Sequence, residues 1–214
     1  LSVDGIYAGL DEPAKTVEYP NGVQFIRAGP HHKGEVVLRD PVIHNRNSSA
    51  TRYTWPTGVL TIIGGEFVNN ENANIRFGAG DHPTKVSSAT GSYVRVDADS
   101  EGTNDAAGAV FRELTIVWRK KQGRGVISFP RFGGHGSATF SDCIVHNNGS
   151  ETKTVSASAV QNDEDVVQPT NTSVHFENCS FTGSGLGFTS VDRPGSSIVD
   201  SCIDMPRATI EGFE

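Results

Sequence analysis

The chain has 214 residues, of which 36% are hydrophobic and 20% are charged, so it suits a single folded domain rather than a disordered segment. Its 18 Lys and Arg against 25 Asp and Glu give a formal net charge of −7, which argues against general binding to nucleic acid. No apolar run approaches the length that crosses a membrane. The chain opens on Leu1 without an initiator methionine, which suggests a processed chain or a portion of a longer one.

Six segments share one short pattern, in which an apolar residue is followed by a free position, a turn-forming residue, a small residue, a free position and a second apolar residue. They begin at residues 38, 62, 111, 140, 176 and 199, and the pattern is fullest in Val174-His-Phe-Glu-Asn-Cys-Ser-Phe181. The steps between them are 24, 49, 29, 36 and 23 residues, and the 49 is close to two steps. Periods of this size, with short alternating apolar pairs, indicate a solenoid built from strands.

The turn-forming position of this pattern is predicted to be a corner between two strands. It is occupied by residues that tolerate a left-handed or tight-turn backbone, namely Asp40, Gly64, Asp142, Asn178 and Ser201. Glu113 occupies the same position and fits a corner least well.

The chain's three cysteines, Cys143, Cys179 and Cys202, all fall on the position after the corner in this alignment. The favoured interpretation is one column of reduced thiols in the core, since a free cysteine behaves as a small apolar residue. A disulfide between neighbouring rungs stays open, because rungs about 4.8 Å apart lie within the separation that a disulfide accepts.

The segments Phe176-Glu-Asn-Cys-Ser-Phe181 and Phe140-Ser-Asp-Cys-Ile-Val145, with the glycines and asparagines that follow them, resemble the right-handed parallel β-helix. This is the pectate-lyase-like fold, similar also to tailspikes and to secreted β-helix proteins of halophilic archaea. The resemblance covers roughly residues 23 to 210 and implies an all-β, single-stranded solenoid of about seven to nine rungs. Because one fold hosts lyases, hydrolases, adhesins and inert fibres, it implies little about activity.

Residues 1–22 lack the pattern and hold three turn signals, the last being Pro20-Asn21-Gly22. A solenoid end exposes unpaired strand edges, so this segment is predicted to be an N-terminal cap or docking segment. Residues 23–214 form the predicted β-helix domain.

Two loops carry candidate ligands of opposite charge. The acidic one holds Asp97, Asp99, Glu101 and Asp105, whose oxygens suit calcium, although a hydrated acidic loop is the favoured alternative. The basic one begins at Trp118 and holds Arg119, Lys120, Lys121 and Arg124. Stacked rungs would bring this loop close to three further residues, Arg76, Arg131 and His135, in a cationic ligand-binding stripe with one aromatic. A solvated loop is the favoured alternative, since exposed charges usually only solvate.

An insertion at residues 161–169 breaks the period, and insertions in solenoids often carry binding. It contributes two candidate catalytic carboxylates, Asp163 and Glu164, and the next loop contributes Asp192 with Arg193. A glycosidase needs paired carboxylates, and a lyase needs a base with a cation that neutralises the uronate.

Sequons place candidate glycosylation sites at Asn47, Asn148 and Asn171, and Asn178 also fits the motif but is assigned to a corner.

The sequence is compatible with two functions for this chain. The first is an extracellular, cell-surface or virion β-helix with a structural or adhesive role, which binds a glycan or acidic polysaccharide, or assembles with other chains into an oligomer or fibre. The second is a polysaccharide lyase or glycoside hydrolase acting on an acidic polysaccharide. The first is favoured because no catalytic motif is present. Calcium is the one cofactor indicated, and neither nucleic acid nor a membrane is an expected partner.

Overall fold

The computed structural model describes residues 2–4, 7–8, 26–28, 35–44, 51–53, 59–68, 75–77, 85–87, 90–91, 94–96, 109–119, 125–129, 137–157, 173–191 and 193–214. Within these residues lie 24 short strands and no helix. In chain order they are β1 (Ser2–Asp4), β2 (Tyr7–Ala8), β3 (Ile26–Ala28), β4 (Glu35–Arg39), β5 (Val42–His44), β6 (Thr51–Tyr53), β7 (Val59–Ile63), β8 (Glu66–Val68), β9 (Ile75–Phe77), β10 (Lys85–Ser87), β11 (Thr90–Gly91), β12 (Val94–Val96), β13 (Ala109–Arg112), β14 (Thr115–Trp118), β15 (Ile127–Phe129), β16 (Ala138–Ser141), β17 (Ile144–Asn147), β18 (Lys153–Ala157), β19 (Val174–Glu177), β20 (Ser180–Thr182), β21 (Leu186–Ser190), β22 (Ser197–Val199), β23 (Cys202–Asp204) and β24 (Ile210–Glu211).

The described strands form three parallel sheets of eight strands each. Every third strand belongs to the same sheet, so the first sheet begins with β1 and β4, the second with β2 and β5, and the third with β3 and β6. Three consecutive strands therefore make one row, and each row pairs with the next. The predicted all-β fold with stacked parallel strands is confirmed, and the arrangement is consistent with a β-helix solenoid.

The long step between residues 62 and 111 contains a row of its own. Val86 on β10 pairs with Ile62 on one side and with Phe111 on the other. The step of 49 residues is therefore two steps, as its size predicted.

The core is a set of columns in which each residue lies over its counterpart in the row before. On the first sheet, the rings of Phe111 and Phe140 stack with centroids 4.2 Å apart, and those of Phe140 and Phe176 with centroids 4.9 Å apart. On the second sheet, Ile116, Val145 and Phe181 align and are fully buried. Burial of these columns against one another supplies the main stabilising free energy of such a fold.

The corners between the first and second sheets have the predicted left-handed backbone. Positive φ angles occur at Asp40 (45°), Gly64 (67°), Glu113 (53°), Asp142 (56°) and Asn178 (52°). Glu113 is therefore a true corner in spite of its longer side chain.

The last row is shifted by one residue from the predicted alignment. Ile198, not Val199, pairs with Phe176, so the left-handed corner is Asp200 (φ 49°) and not Ser201. Cys202 consequently pairs with Ser180 and is exposed, whereas Cys143 and Cys179 are buried. The prediction of one column of three cysteines was wrong for its last member, because the apolar column of the first sheet, in which the partly buried Ile198 pairs with Phe176, sets the register.

The described parts of residues 1–22 lie in the same sheets as the rest of the chain. Strand β1 pairs with β4, and β2 pairs with β5. The division at residue 22 stays a prediction. In the part of the chain that the structure describes, no helix has the length and apolarity needed to span a membrane.

Candidate functional site

A column of polar residues runs along the third sheet, with one member in every row. The strands of this sheet pair Arg27 with Arg52, Arg76 with Arg95, and Tyr53 with Phe77, which aligns Arg52 with Arg76 as well. Beyond Arg95 the same register continues through four further residues. We call the whole set the polar column; in order it is Arg27, Arg52, Arg76, Arg95, Ser128, Ser156, Thr189 and Glu211.

The strand alternation places this column on the face of the sheet opposite the core. The residue before each arginine from the second row to the fourth is fully buried, these being Thr51, Ile75 and Val94. Successive residues of a strand belong to opposite faces, so the arginine positions lie on the outer face.

The polar column has two segments. Ser128, at the junction, is only 4% exposed, whereas Ser156 and Thr189 are half-buried and Glu211 is exposed. Lys153 Nζ donates a hydrogen bond of 2.6 Å to Thr189 Oγ1 across neighbouring rows. We call the first four positions the arginine segment, and Ser156 with Thr189 the hydroxyl segment.

The strand register aligns the backbone positions of these four arginines at the spacing of neighbouring parallel strands, about 4.8 Å.

The predicted cationic stripe is only partly described. Arg76 lies in the polar column, and Arg119 is exposed just after β14. Trp118 was placed wrongly, since it ends β14 with 8% of its surface exposed, and its Nε1 donates to Thr152 Oγ1 at 3.3 Å. Five members lie outside the described residues: Lys120, Lys121, Arg124, Arg131 and His135.

Of the candidate catalytic residues, only Arg193 lies among the described ones; Asp163, Glu164 and Asp192 fall outside them. Arg193 is 3% exposed, and its guanidinium carbon lies 5.0 Å from the centroid of the Phe129 ring. Burial lowers the pKa of Arg193 to about 10, and its backbone carbonyl accepts a hydrogen bond from Ser196 Oγ. In the described structure Arg193 is a buried side chain at the end of the third sheet, packed on an aromatic ring.

The candidate calcium ligands Asp97, Asp99, Glu101 and Asp105 lie outside the described residues. Among the residues that are described, no group of three or more His, Cys, Asp and Glu could hold a metal ion.

The sequons Asn47 and Asn171 also lie outside the described residues, and Asn148 is exposed after β17. The Asn148 amide nitrogen lies 2.8 Å from His146 Nε2. Glycosylation of these residues stays a prediction.

Cys143 and Cys179 form a buried pair of reduced thiols in neighbouring rows. The hydrogen bond with Cys179, together with burial, raises the pKa of the Cys143 thiol well above its usual range. Since the thiolate is the reactive form, this environment keeps Cys143 inert and gives it a packing role.

Sequence reasoning missed Arg27, Arg52 and Arg95. A signal was present, since four strands of the third sheet repeat a triplet with arginine at its centre: Ile26-Arg-Ala28, Thr51-Arg-Tyr53, Ile75-Arg-Phe77 and Val94-Arg-Val96. The triplet is short and the connections between copies vary in length, so only the strand register brings the four arginines into one column.

No protein-family model matches the chain, and neither the curated proteins nor the solved structures contain a match to it.

Proposed function

We propose that the chain is a right-handed parallel β-helix of seven to nine rungs with an N-terminal cap, and that it binds a linear glycan on a cell or virion surface. Its role is adhesive or structural. Residues 23–214 would form the binding domain, and residues 1–22 the cap or docking segment.

The observation that carries this proposal is the polar column on the third sheet. Its eight members are Arg, Ser, Thr or Glu, one in each row and in register, over the full height of the described sheet. The repeat of about 4.8 Å is close to the length of one sugar residue. A linear glycan can therefore present equivalent groups to successive rows, which suits binding along a polymer better than binding of a compact ligand.

A glycan array with neutral and acidic polymers, followed by co-sedimentation with the polymers that bind, tests this proposal. The variant Ser156→Ala/Thr189→Val removes both members of the hydroxyl segment while keeping their approximate volume. Its matched control is Thr139→Val/Ser141→Ala, which removes two half-buried hydroxyls from the first sheet.

We expect the hydroxyl-segment variant to bind about tenfold more weakly, the effect of losing two hydrogen bonds, and the control to bind normally. Wild-type protein that binds no polymer would refute the proposal, as would equal losses in both variants. A rise in ultraviolet absorbance on incubation with a uronate polymer would show a lyase instead of a passive binder.

A further inference from the structure

We infer that Asn148 is a latent site of deamidation, and that the folded turn around it suppresses the reaction by holding both reacting groups apart. Asn148 and Gly149 follow β17 in the turn that leads to β18, and Asn148 is exposed. Asparagine is a thermolabile residue, and a following glycine has no side chain to hinder ring closure. The chain has one other Asn-Gly pair, Asn21-Gly22, which lies outside the described residues.

The reaction needs water as its one reagent. The backbone nitrogen of Gly149 loses its proton and attacks the side-chain carbonyl carbon of Asn148. The new carbon–nitrogen bond closes a five-membered succinimide ring while the bond to Nδ2 breaks, so that Nδ2 leaves as ammonia with the proton from Gly149. Water then opens the ring at either carbonyl, which leaves aspartate or isoaspartate in place of Asn148.

The nucleophile of this reaction is held on the inner side of the turn. The Gly149 amide donates a hydrogen bond of 2.9 Å to Oδ1 of Asn147, which is fully buried. Gly149 is itself buried, and its carbonyl accepts a hydrogen bond of 2.8 Å from the Thr152 amide. A buried N–H group that is bonded to a neutral oxygen resists deprotonation, because the resulting anion would face that oxygen without solvation. The bond to Asn147 therefore opposes the first step.

The group under attack is held on the outer side. Alternation along β17 directs Asn147 inward and His146 outward. Nδ2 of Asn148 lies 2.8 Å from Nε2 of His146, and Nδ1 of His146 lies 2.7 Å from Thr182 Oγ1. An amide nitrogen only donates, so Nε2 is the unprotonated ring nitrogen and Nδ1–H donates to Thr182. The Asn148 side chain is thus fixed to the outer face, opposite the acceptor of the Gly149 amide.

The backbone of the turn also contacts the rows on both sides. The Asn148 amide donates to the Trp118 carbonyl at 2.9 Å in the row before, and the Gly185 amide in the row after donates to the Asn147 carbonyl at 2.8 Å. An isoaspartate adds one atom to the backbone and would displace these contacts. Deamidation of Asn148 should therefore lower the melting temperature, and it would place a negative charge beside His146.

The experiment follows deamidation of the folded protein at neutral pH by peptide mass spectrometry. Incubation in urea gives the rate for the unfolded chain, in which Asn21 is the internal reference. One test variant, Asn147→Ala, removes the acceptor of the Gly149 amide, and the other, His146→Ala, releases the Asn148 side chain. His146 is half-buried, so the second variant decides the question if Asn147→Ala does not fold, which circular dichroism establishes.

The matched control is Phe140→Ala, which opens a cavity in the same row and leaves the bonds of the turn in place. It separates the effect of those bonds from that of a lower overall stability, since a reaction that requires global unfolding would be accelerated by any destabilising substitution.

We expect Asn148 in the folded wild type to react more than about tenfold more slowly than in urea. Each folded test variant should react about fivefold to tenfold faster than the folded wild type, the effect of losing one hydrogen bond, and the control should stay within about twofold. Acceleration in either test variant alone supports the inference.

Three results would overturn the inference. The first is an equal rate for Asn148 in the folded and unfolded wild type, or no reaction at Asn148 in urea while Asn21 reacts. The second is a wild-type rate in every folded test variant. The third is an equal acceleration in the control and the test variants, which would assign the protection to overall stability instead of to the two bonds.

Discussion

At the scale of single residues, the left-handed backbone at the corners between the first and second sheets restricts which amino acids can occupy those positions. Among the residues that the structure describes, five other than glycine have positive φ there: Asp40, Glu113, Asp142, Asn178 and Asp200. This left-handed backbone costs an ordinary residue about 1–2 kcal/mol, and Asn and Asp pay less because their short polar side chains bond locally. At one corner Asn178 Nδ2 donates to Asp142 Oδ1 at 2.6 Å, which links two rows.

We expect Asn178→Val to lower the free energy of unfolding by about 2 kcal/mol more than Asn178→Gly. Both variants lose the hydrogen bond to Asp142, so their difference isolates the backbone, which a β-branched residue cannot adopt without strain. Urea unfolding monitored by circular dichroism measures both values. Equal stability of the two variants would show that the corner tolerates any side chain.

The corners were also the part of the fold that the sequence predicted best, and their one failure has a physical cause. Asn178 stands alone as a turn former before the buried Cys179, so its register is unambiguous. In Val199-Asp-Ser-Cys202, two turn formers follow one another, and the apolar Val199 is 47% exposed. The partner of Phe176 is instead Ile198, which is partly buried against the core, and only packing against the preceding row selects it.

At the scale of elements, the turn between β17 and β18 is held by a buried amide. Asn147 is fully buried, and its Nδ2 donates to the Thr152 carbonyl at 3.0 Å and to Thr154 Oγ1 at 3.1 Å, while its Oδ1 accepts from the Gly149 amide at 2.9 Å. In the next row, a Cβ on Gly185 would collide with the Asn147 side chain. Gly185 is therefore required because the Asn147 side chain leaves no room for a Cβ atom, and not because of its own φ angle.

This contact predicts strong coupling in a double-mutant cycle. Asn147→Ala should cost about 2–4 kcal/mol because it removes three hydrogen bonds from a buried turn, and Gly185→Ala alone should also be destabilising. In the Asn147→Ala background the collision is gone, so Gly185→Ala should cost about 1 kcal/mol or less. Urea titrations of the four proteins give the coupling. Gly183→Ala is the control, since its Cβ would meet the Asn147 backbone, and the collision persists in both backgrounds.

Asn147 and Asn148 are adjacent at the end of β17, and the sequence does not indicate which of them is buried. Asn147 pairs with Trp118, and this places both side chains at the same corner, close to the Thr152 hydroxyl and backbone. Trp118 was predicted to lie in the basic loop, as the one aromatic residue of a cationic stripe. Its burial results from alternation along β14, in which Ile116 and Trp118 share the inner face. A large aromatic ring with one polar atom can be buried without penalty when that atom forms a hydrogen bond.

At the scale of the whole molecule, the sequence predicted the stacking of the chain but not the surface it creates. The apolar columns and the corners of the first and second sheets carry the repeating pattern, so their order could be inferred. The third sheet has no such pattern, because connections of uneven length precede its strands. The alignment of Arg27, Arg52, Arg76 and Arg95 is therefore a property of the assembled rows.

Stacked rows also determine how a local change is transmitted. Each row touches only its neighbours, so stability is close to a sum of row terms and nearest-neighbour terms. The rings of Phe140 and Phe176 stack with centroids 4.9 Å apart, whereas Leu38 lies four rows before Phe140 in the same column. Coupling should therefore fall off sharply along the axis.

We expect Phe140→Ala, Phe176→Ala and Leu38→Ala each to cost about 2–5 kcal/mol, because each opens a cavity in the buried core. The pair Phe140 and Phe176 should show a coupling energy of about 0.5–1.5 kcal/mol, since the first substitution already removes the stacking contact that the second would lose. Leu38 and Phe140 should be additive to within about 0.5 kcal/mol. Urea unfolding of the single and double variants measures both couplings. Equal coupling energies for the distant pair and the stacked pair would contradict this expectation. The effect of one substitution would then reach across the rows between Leu38 and Phe140 without loss, and stability would not be a sum of nearest-neighbour terms.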